Sequence, residues 1–134
     1  RIIISEVAKR ITPQMSYTER IQKIIEANYK LFSIYSKLAM ILCGELTTGI
    51  DDKAKDMILA AKESYIQFVS NIVAHGIEKR EFADSDPELV AVGIIGVIEA
   101  IFSRKTASDK PWSDETVIDE IKTALISGIR YDRV

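Results

Sequence analysis

At 134 residues the chain suits a single domain, large enough to bury roughly two-thirds of the surface its unfolded form exposes. Apolar residues make up 47% and charged residues 28%, a globular rather than a disordered balance. Eighteen basic against twenty acidic side chains leave a net charge of −2, with a pI near 5.5, so the bulk charge lacks the basic footprint of a nucleic-acid binder.

The chain starts at Arg1 and enters an apolar helical stripe at once, Ile4, Val7, Ala8 and Ile11, which Thr12-Pro13 stops. Such a start reads as a fragment whose N-terminal part is absent or removed. Ser16-Tyr17-Thr18-Glu19 has the spacing of a capping box and predicts a second helix with the apolar face Ile21, Ile24, Ile25, Asn28, Leu31 and Phe32. A break near residues 34–36 separates it from another helical segment, Leu38 to Leu46, which Thr47-Thr48-Gly49 ends. Asp51 or Asp52 can cap the longest helix, reaching about Lys79, with the stripe Ala54, Ile58, Ala61, Tyr65, Phe68, Ile72 and His75.

Asp86-Pro87, an N-cap followed by proline at the first helical position, opens a helix over 87–104. After Lys110-Pro111-Trp112, Ser113 caps the last helix, and Trp112 with Val117 has the spacing of a hydrophobic staple. That helix is expected to bury Val117, Ile118, Ile121, Ala124, Leu125, Gly128 and Ile129. With no period-two strand pattern and no internal repeat, the expected fold is all-α, a bundle of about five to six helices.

Residues 89–102 carry a single charge, Glu99, and a helix apolar all round must be covered all round. Its length of ~21 Å is too short for a bilayer core of about 30 Å. At ~100° per residue, Leu89, Gly93, Gly96, Ala100 and Ser103 share one stripe, while Ile94, Ile98, Ile101 and Phe102 project oppositely. The bulky side suits the core. The small side suits a closely approaching helix of a second subunit, unless its glycines only ease packing within the monomer.

Catalytic and metal chemistry find little support. One histidine and one cysteine on different helices, with no Glu-x-x-His or CxxC spacing, do not make a metal site. No GxSxG elbow, phosphate-binding glycine loop or dinucleotide fingerprint occurs, so neither an enzyme nor a cofactor is expected. The lone Cys43 excludes an intrachain disulfide and fits a reducing cytoplasm; neither a signal peptide nor a membrane span is visible.

The run Gly76-Ile77-Glu78-Lys79-Arg80-Glu81-Phe82, then Asp86-Pro87-Glu88, then the small-residue apolar helix, resembles the C-terminal half of TetR-type transcriptional regulators. The ending Ala124 to Arg130 looks like the close of that family's last helix, and Ile24 to Leu46 is similar to its helix pair before the long one. The resemblance spans about residues 17–130. One departure is Arg80-Glu81, where the family commonly has a second glycine before the phenylalanine.

That resemblance implies a homodimer in which the last two helices of each subunit form a four-helix bundle, with Leu89, Gly93, Gly96, Ala100, Ile121, Leu125 and Gly128 at the interface. It implies a pocket for a small, usually hydrophobic effector, and an N-terminal helix-turn-helix, missing here, through which operator DNA is bound and released. Residues 1–11 would then end the connecting helix, and 12–134 would form the effector-binding and dimerisation domain. For the pocket, Asn28 stands out as an amide on an apolar face, joined by Phe32 and by Tyr65 and Phe68 of the long helix. Met40, Met57 and Tyr29 are secondary candidates, and Glu99 is expected at an edge with its carboxylate in water. The other reading of the same aromatics is plain core, in a helical dimer that serves as a structural or protein-interaction module without a ligand.

Overall fold

In the computed structural model the described residues are 2–34 and 52–129. Five helices occur among them: α1 (Ile2–Ala8), α2 (Tyr17–Ile34), α3 (Asp52–Glu78), α4 (Pro87–Ser108) and α5 (Asp114–Ile129). No strand is present in the described residues, and the fold is an all-α bundle. The expected segment 38–46, with Met40 and Cys43, lies outside them.

The local signals act where the sequence places them. The Ser16 hydroxyl accepts from Glu19 N at 3.1 Å while the Glu19 carboxylate accepts from Ser16 N at 2.8 Å, a complete capping box at the start of α2. Asp86 accepts from Glu88 N and Leu89 N at the start of α4, with Pro87 just inside. Helix α4 runs four residues beyond the expected end, because Arg104 to Ser108 holds no breaker; it stops where Asp109 turns left-handed at φ 49°. Ser113 caps α5 by accepting from Thr116 N at 3.1 Å. Trp112, still 39% exposed, and Val117 both line an apolar depression of about 220 Å³ together with Ile101.

Helix α2 is the axis of the bundle, touching each of the other four described helices. Its expected face is buried throughout, and the burial widens to Ala27 and Tyr29 because partners surround it. On α3 the buried line runs Tyr65, Val69, Val73 and Gly76, one position off the expected Phe68, Ile72 and His75. Phe68 and Ile72 flank the core half-buried, while His75 is exposed. Each four-residue step from Tyr65 to Val73 turns the line about 40° further round the helix, and α3 packs against both α2 and α4.

On α5, Val117, Ile118, Ile121 and Ile126 are buried, while Ala124 and Gly128 are exposed rather than buried. Ala8, a member of the first stripe and the last residue of α1, is likewise exposed.

The end of α3 answers the departure at residues 80–81. Arg80 takes the left-handed conformation at φ 61° that a glycine usually supplies, and Glu81 N and Phe82 N both donate to Gly76 O. Ala83 N then donates to Ile129 O, tying this corner to the end of α5.

Candidate functional site

Asn28 sits in the middle of α2 at 1% exposure, among the buried side chains of Ile24, Ile25, Leu31 and Phe32. Neither its Nδ2 nor its Oδ1 has a hydrogen-bond partner. Tyr65, on the neighbouring α3, is 7% exposed, and its hydroxyl is also buried without a partner. Burial drives the Tyr65 hydroxyl far above the usual tyrosine range, so it remains a neutral donor. The Tyr65 ring stacks on Phe68 with centroids 6.1 Å apart and planes at 20°.

Such orphaned groups cost roughly 1–3 kcal/mol each, and native cores contain few. Helices α2 and α3, which carry Asn28 and Tyr65, pack directly against one another.

Phe32 does a different job. It meets Phe102 of α4 edge-on at 5.4 Å, and Tyr29 meets the same ring at 6.1 Å, so Phe102 is gripped from two turns of α2. The Tyr29 hydroxyl is pushed up to about 12, first by burial and then by the Asp114 carboxylate facing it. Met57 is exposed, on the outer side of α3.

Glu99 does not lie with its head free in water. Its carboxylate is 3.2 Å from Lys62 on α3, largely covered, with burial raising its pKa and Lys62 opposing the rise. No group of three or more possible metal ligands occurs among the described residues, and none of their helices is long and apolar enough to cross a membrane.

The α4 wheel divides as its sequence does. Ile94, Ile98 and Phe102 are buried and Ile101 is half-buried, whereas Leu89 is 72% and Val92 45% exposed, with Gly93 and Ala100 also open. A Cβ built on Gly93, Gly96 or Gly128 would meet nothing within 4 Å, so no packing inside the subunit requires these glycines. A groove of about 540 Å³ follows this side of α4 past Gly96, Ala100, Ser103 and Ala107, edged by Glu99 and Arg104. Of the α5 residues expected on the same face, Gly128 is open and Leu125 half-buried. Ile121, at 1% exposure, is enclosed in the subunit's own core because its side of α5 packs on α2.

A clasp that sequence reasoning missed joins the α1–α2 corner to the end of α3. The Arg20 guanidinium lies 4.4 Å above the Tyr17 ring and donates to Met15 O and Pro13 O, both at 3.2 Å. Tyr17 also meets His75 at 6.2 Å, and Thr18 N donates to the Glu81 carboxylate at 3.1 Å. The acceptors of Arg20 are loop carbonyls, which carry no residue-type signature.

Residues 14–103 match the tetracyclin repressor-like C-terminal domain family, over more than half of the chain. The chain belongs to that family. The family is one of transcriptional regulators rather than enzymes, and its domains are generally dimeric and bind small molecules. In fold, this tetracyclin repressor-like domain is similar to a Clostridium perfringens putative fatty acid metabolism regulator, with a TM-score of 0.78 and 19% identity. The match covers 96% of this chain and 69% of that one. No curated protein sequence matches.

Proposed function

We propose that residues 12–134 are the effector-sensing and homodimerisation domain of a cytoplasmic transcriptional repressor, with residues 1–11 ending the helix that leads to a DNA-binding segment. The observation that carries the reading is the pair Asn28 and Tyr65, whose buried polar groups have no protein partner. A sensor core that leaves hydrogen bonds unmade until a small molecule supplies them is strained in its empty state. The strain is released only in the ligand-bound state, which gives the ligand its leverage over conformation.

The packing of α1 against α2 and α3 supports α1 as the output element, and the clasp at Tyr17 and Arg20 ties the loop that follows α1 to α2 and to the end of α3. A change in the spacing of α2 and α3 on effector binding would then be felt by α1 and, through it, by the operator-binding segment. The second copy of the chain would cover the open face of α4, with Leu89, Gly93, Gly96 and Ala100, and the Leu125–Gly128 end of α5. An apolar effector fits the surroundings of Asn28, and the fatty acid metabolism regulator named above suggests an aliphatic one.

Native mass spectrometry of the purified chain, followed by thermal-shift screening of metabolites, tests the proposal. Expected are a dimer mass and at least one small apolar compound that raises the melting temperature of wild type but not of Tyr65→Ala. A dimer that no compound stabilises would instead mark a structural module with a filled core.

A further inference from the structure

The chemistry left open around Asn28 and Tyr65 is specific enough to define the polar end of the effector; this step rests on the effector-sensing reading above. Asn28 presents two donors on Nδ2 and an acceptor on Oδ1, all without protein partners, and Tyr65 presents a hydroxyl. Asp, Glu, Lys, Arg and His are all absent from the buried residues among those described; apart from tyrosine, the buried polar side chains there are Asn28 and Ser70. Lys62, one turn before Tyr65 on α3, is held by Glu99 at 3.2 Å. No described cation is thus committed to neutralising a ligand's charge at this level of the core. An anion brought beside Asn28 would lose its hydration and gain only amide and hydroxyl dipoles, which compensate a full charge poorly.

We infer that the effector meets Asn28 with an uncharged group that both donates and accepts a hydrogen bond, a hydroxyl or a carboxamide, on an otherwise apolar skeleton. A carboxamide is the closest complement, since its N–H donates to Asn28 Oδ1 while its carbonyl accepts from Asn28 Nδ2. A hydroxyl does the same with one atom. An ester carbonyl accepts only and leaves Oδ1 unpaired. An ionised carboxylate also accepts only and carries the uncompensated charge as well. The amide therefore acts as a selector of headgroup, separate from the apolar walls that select the skeleton.

The test uses matched probes on two skeletons: decanol, decanamide and decanoate, with 2-naphthylmethanol, 2-naphthamide and 2-naphthoate. Each is titrated at pH 8 against the 134-residue chain by calorimetry, with wild type and Asn28→Leu compared. Expected on at least one skeleton is binding of the alcohol and carboxamide at least about tenfold tighter than the carboxylate. In Asn28→Leu, which keeps the apolar walls, that preference is lost through weaker binding of the neutral probes. Thermal melting of the variant without probe confirms that it folds. Should Asn28→Leu not fold, Asn28→Ala serves, because it removes the same donors and acceptor without placing a charge in the core, and it is expected to lose the same preference.

A carboxylate that binds wild type as tightly as its alcohol overturns this inference and leaves the sensor reading standing. Undiminished neutral-probe binding in the Asn28 variant does the same. Binding of none of the six probes overturns the inference and counts against the sensor reading as well.

Discussion

Gly76 and Phe82 are so closely packed that a Cβ on the glycine would overlap two carbons of the phenylalanine ring and crowd Tyr17 Cβ at 3.1 Å. Phe82 is fully buried and cannot swing away. The same glycine's carbonyl receives Glu81 N and Phe82 N, so ring and backbone are fixed together. Gly76→Ala is therefore expected to destabilise the chain by ~1–3 kcal/mol through overpacking, although alanine is the better helix former. Urea denaturation checks the loss, and adding Phe82→Leu to Gly76→Ala should recover part of it. Equal stability of Gly76→Ala and wild type would mean that the corner is looser than its geometry states.

The Asp86 cap is a smaller and more local test. Its carboxylate is exposed and holds Glu88 N at 2.9 Å and Leu89 N at 3.2 Å, two amides that α4 itself leaves unpaired. Asp86→Ala should cost ~1 kcal/mol in chemical denaturation, and Asp86→Ser clearly less, because serine can still accept from the helix start.

What the sequence made legible was governed by local physics. The capping box at Ser16 and Glu19, the Asp86-Pro87 start and the Ser113 cap depend on residues within one turn, and each forms as spaced. The division of α4 into a bulky and a small side also follows from periodicity alone. Features set by partners were not legible. Ile121 was assigned to an interface, yet it is enclosed because α5 turns that side to α2. Glu99 was assigned to water, yet Lys62, thirty-seven positions earlier, closes on it. Asn28 could be singled out as an anomaly from its apolar neighbours, but its lack of a partner is a tertiary fact.

Tyr65→Phe isolates the missing hydrogen bond. The hydroxyl has nothing to lose in the folded chain, so its removal should leave stability unchanged or raise it by ~1 kcal/mol. A typical buried tyrosine behaves oppositely, since its hydroxyl is bonded. Thermal melting without effector, set beside effector titration, should show a gain or no change in stability together with weaker binding. A clear loss of stability would reveal a protein partner for that hydroxyl and remove it from the site.

Glu26 supplies the pH dependence. Partial burial works to raise its pKa, but Lys122 at 3.2 Å, with Lys23 and Lys30 alongside, outweighs it and holds the carboxyl below its ordinary 4.5. A lowered folded-state pKa means stability that is present above 4.5 and is lost as pH falls toward the lowered value. With the pair still about a quarter exposed, Glu26→Gln should cost less than ~1 kcal/mol near pH 7. The difference from wild type should shrink to nothing in acid, as followed by urea melts between neutral pH and the acid end. A deficit that persists unchanged in acid would assign the loss to packing between α2 and α5 instead.

Gly96→Leu separates subunit stability from assembly. Within the subunit a Cβ at Gly96 meets nothing within 4 Å, so the larger side chain enters open space. Replacing a mid-helix glycine should even favour α4 by up to ~1 kcal/mol. If the small stripe is where a second copy approaches, the same leucine blocks the close approach of the two helices. The expected variant keeps wild-type helicity by circular dichroism but sediments as a monomer or aggregates, because Leu89 and Val92 remain uncovered. A stable dimer from Gly96→Leu would place the subunit contact on another face. A variant that loses helicity would show instead that the stripe is packed inside the subunit, against the open space around its glycines.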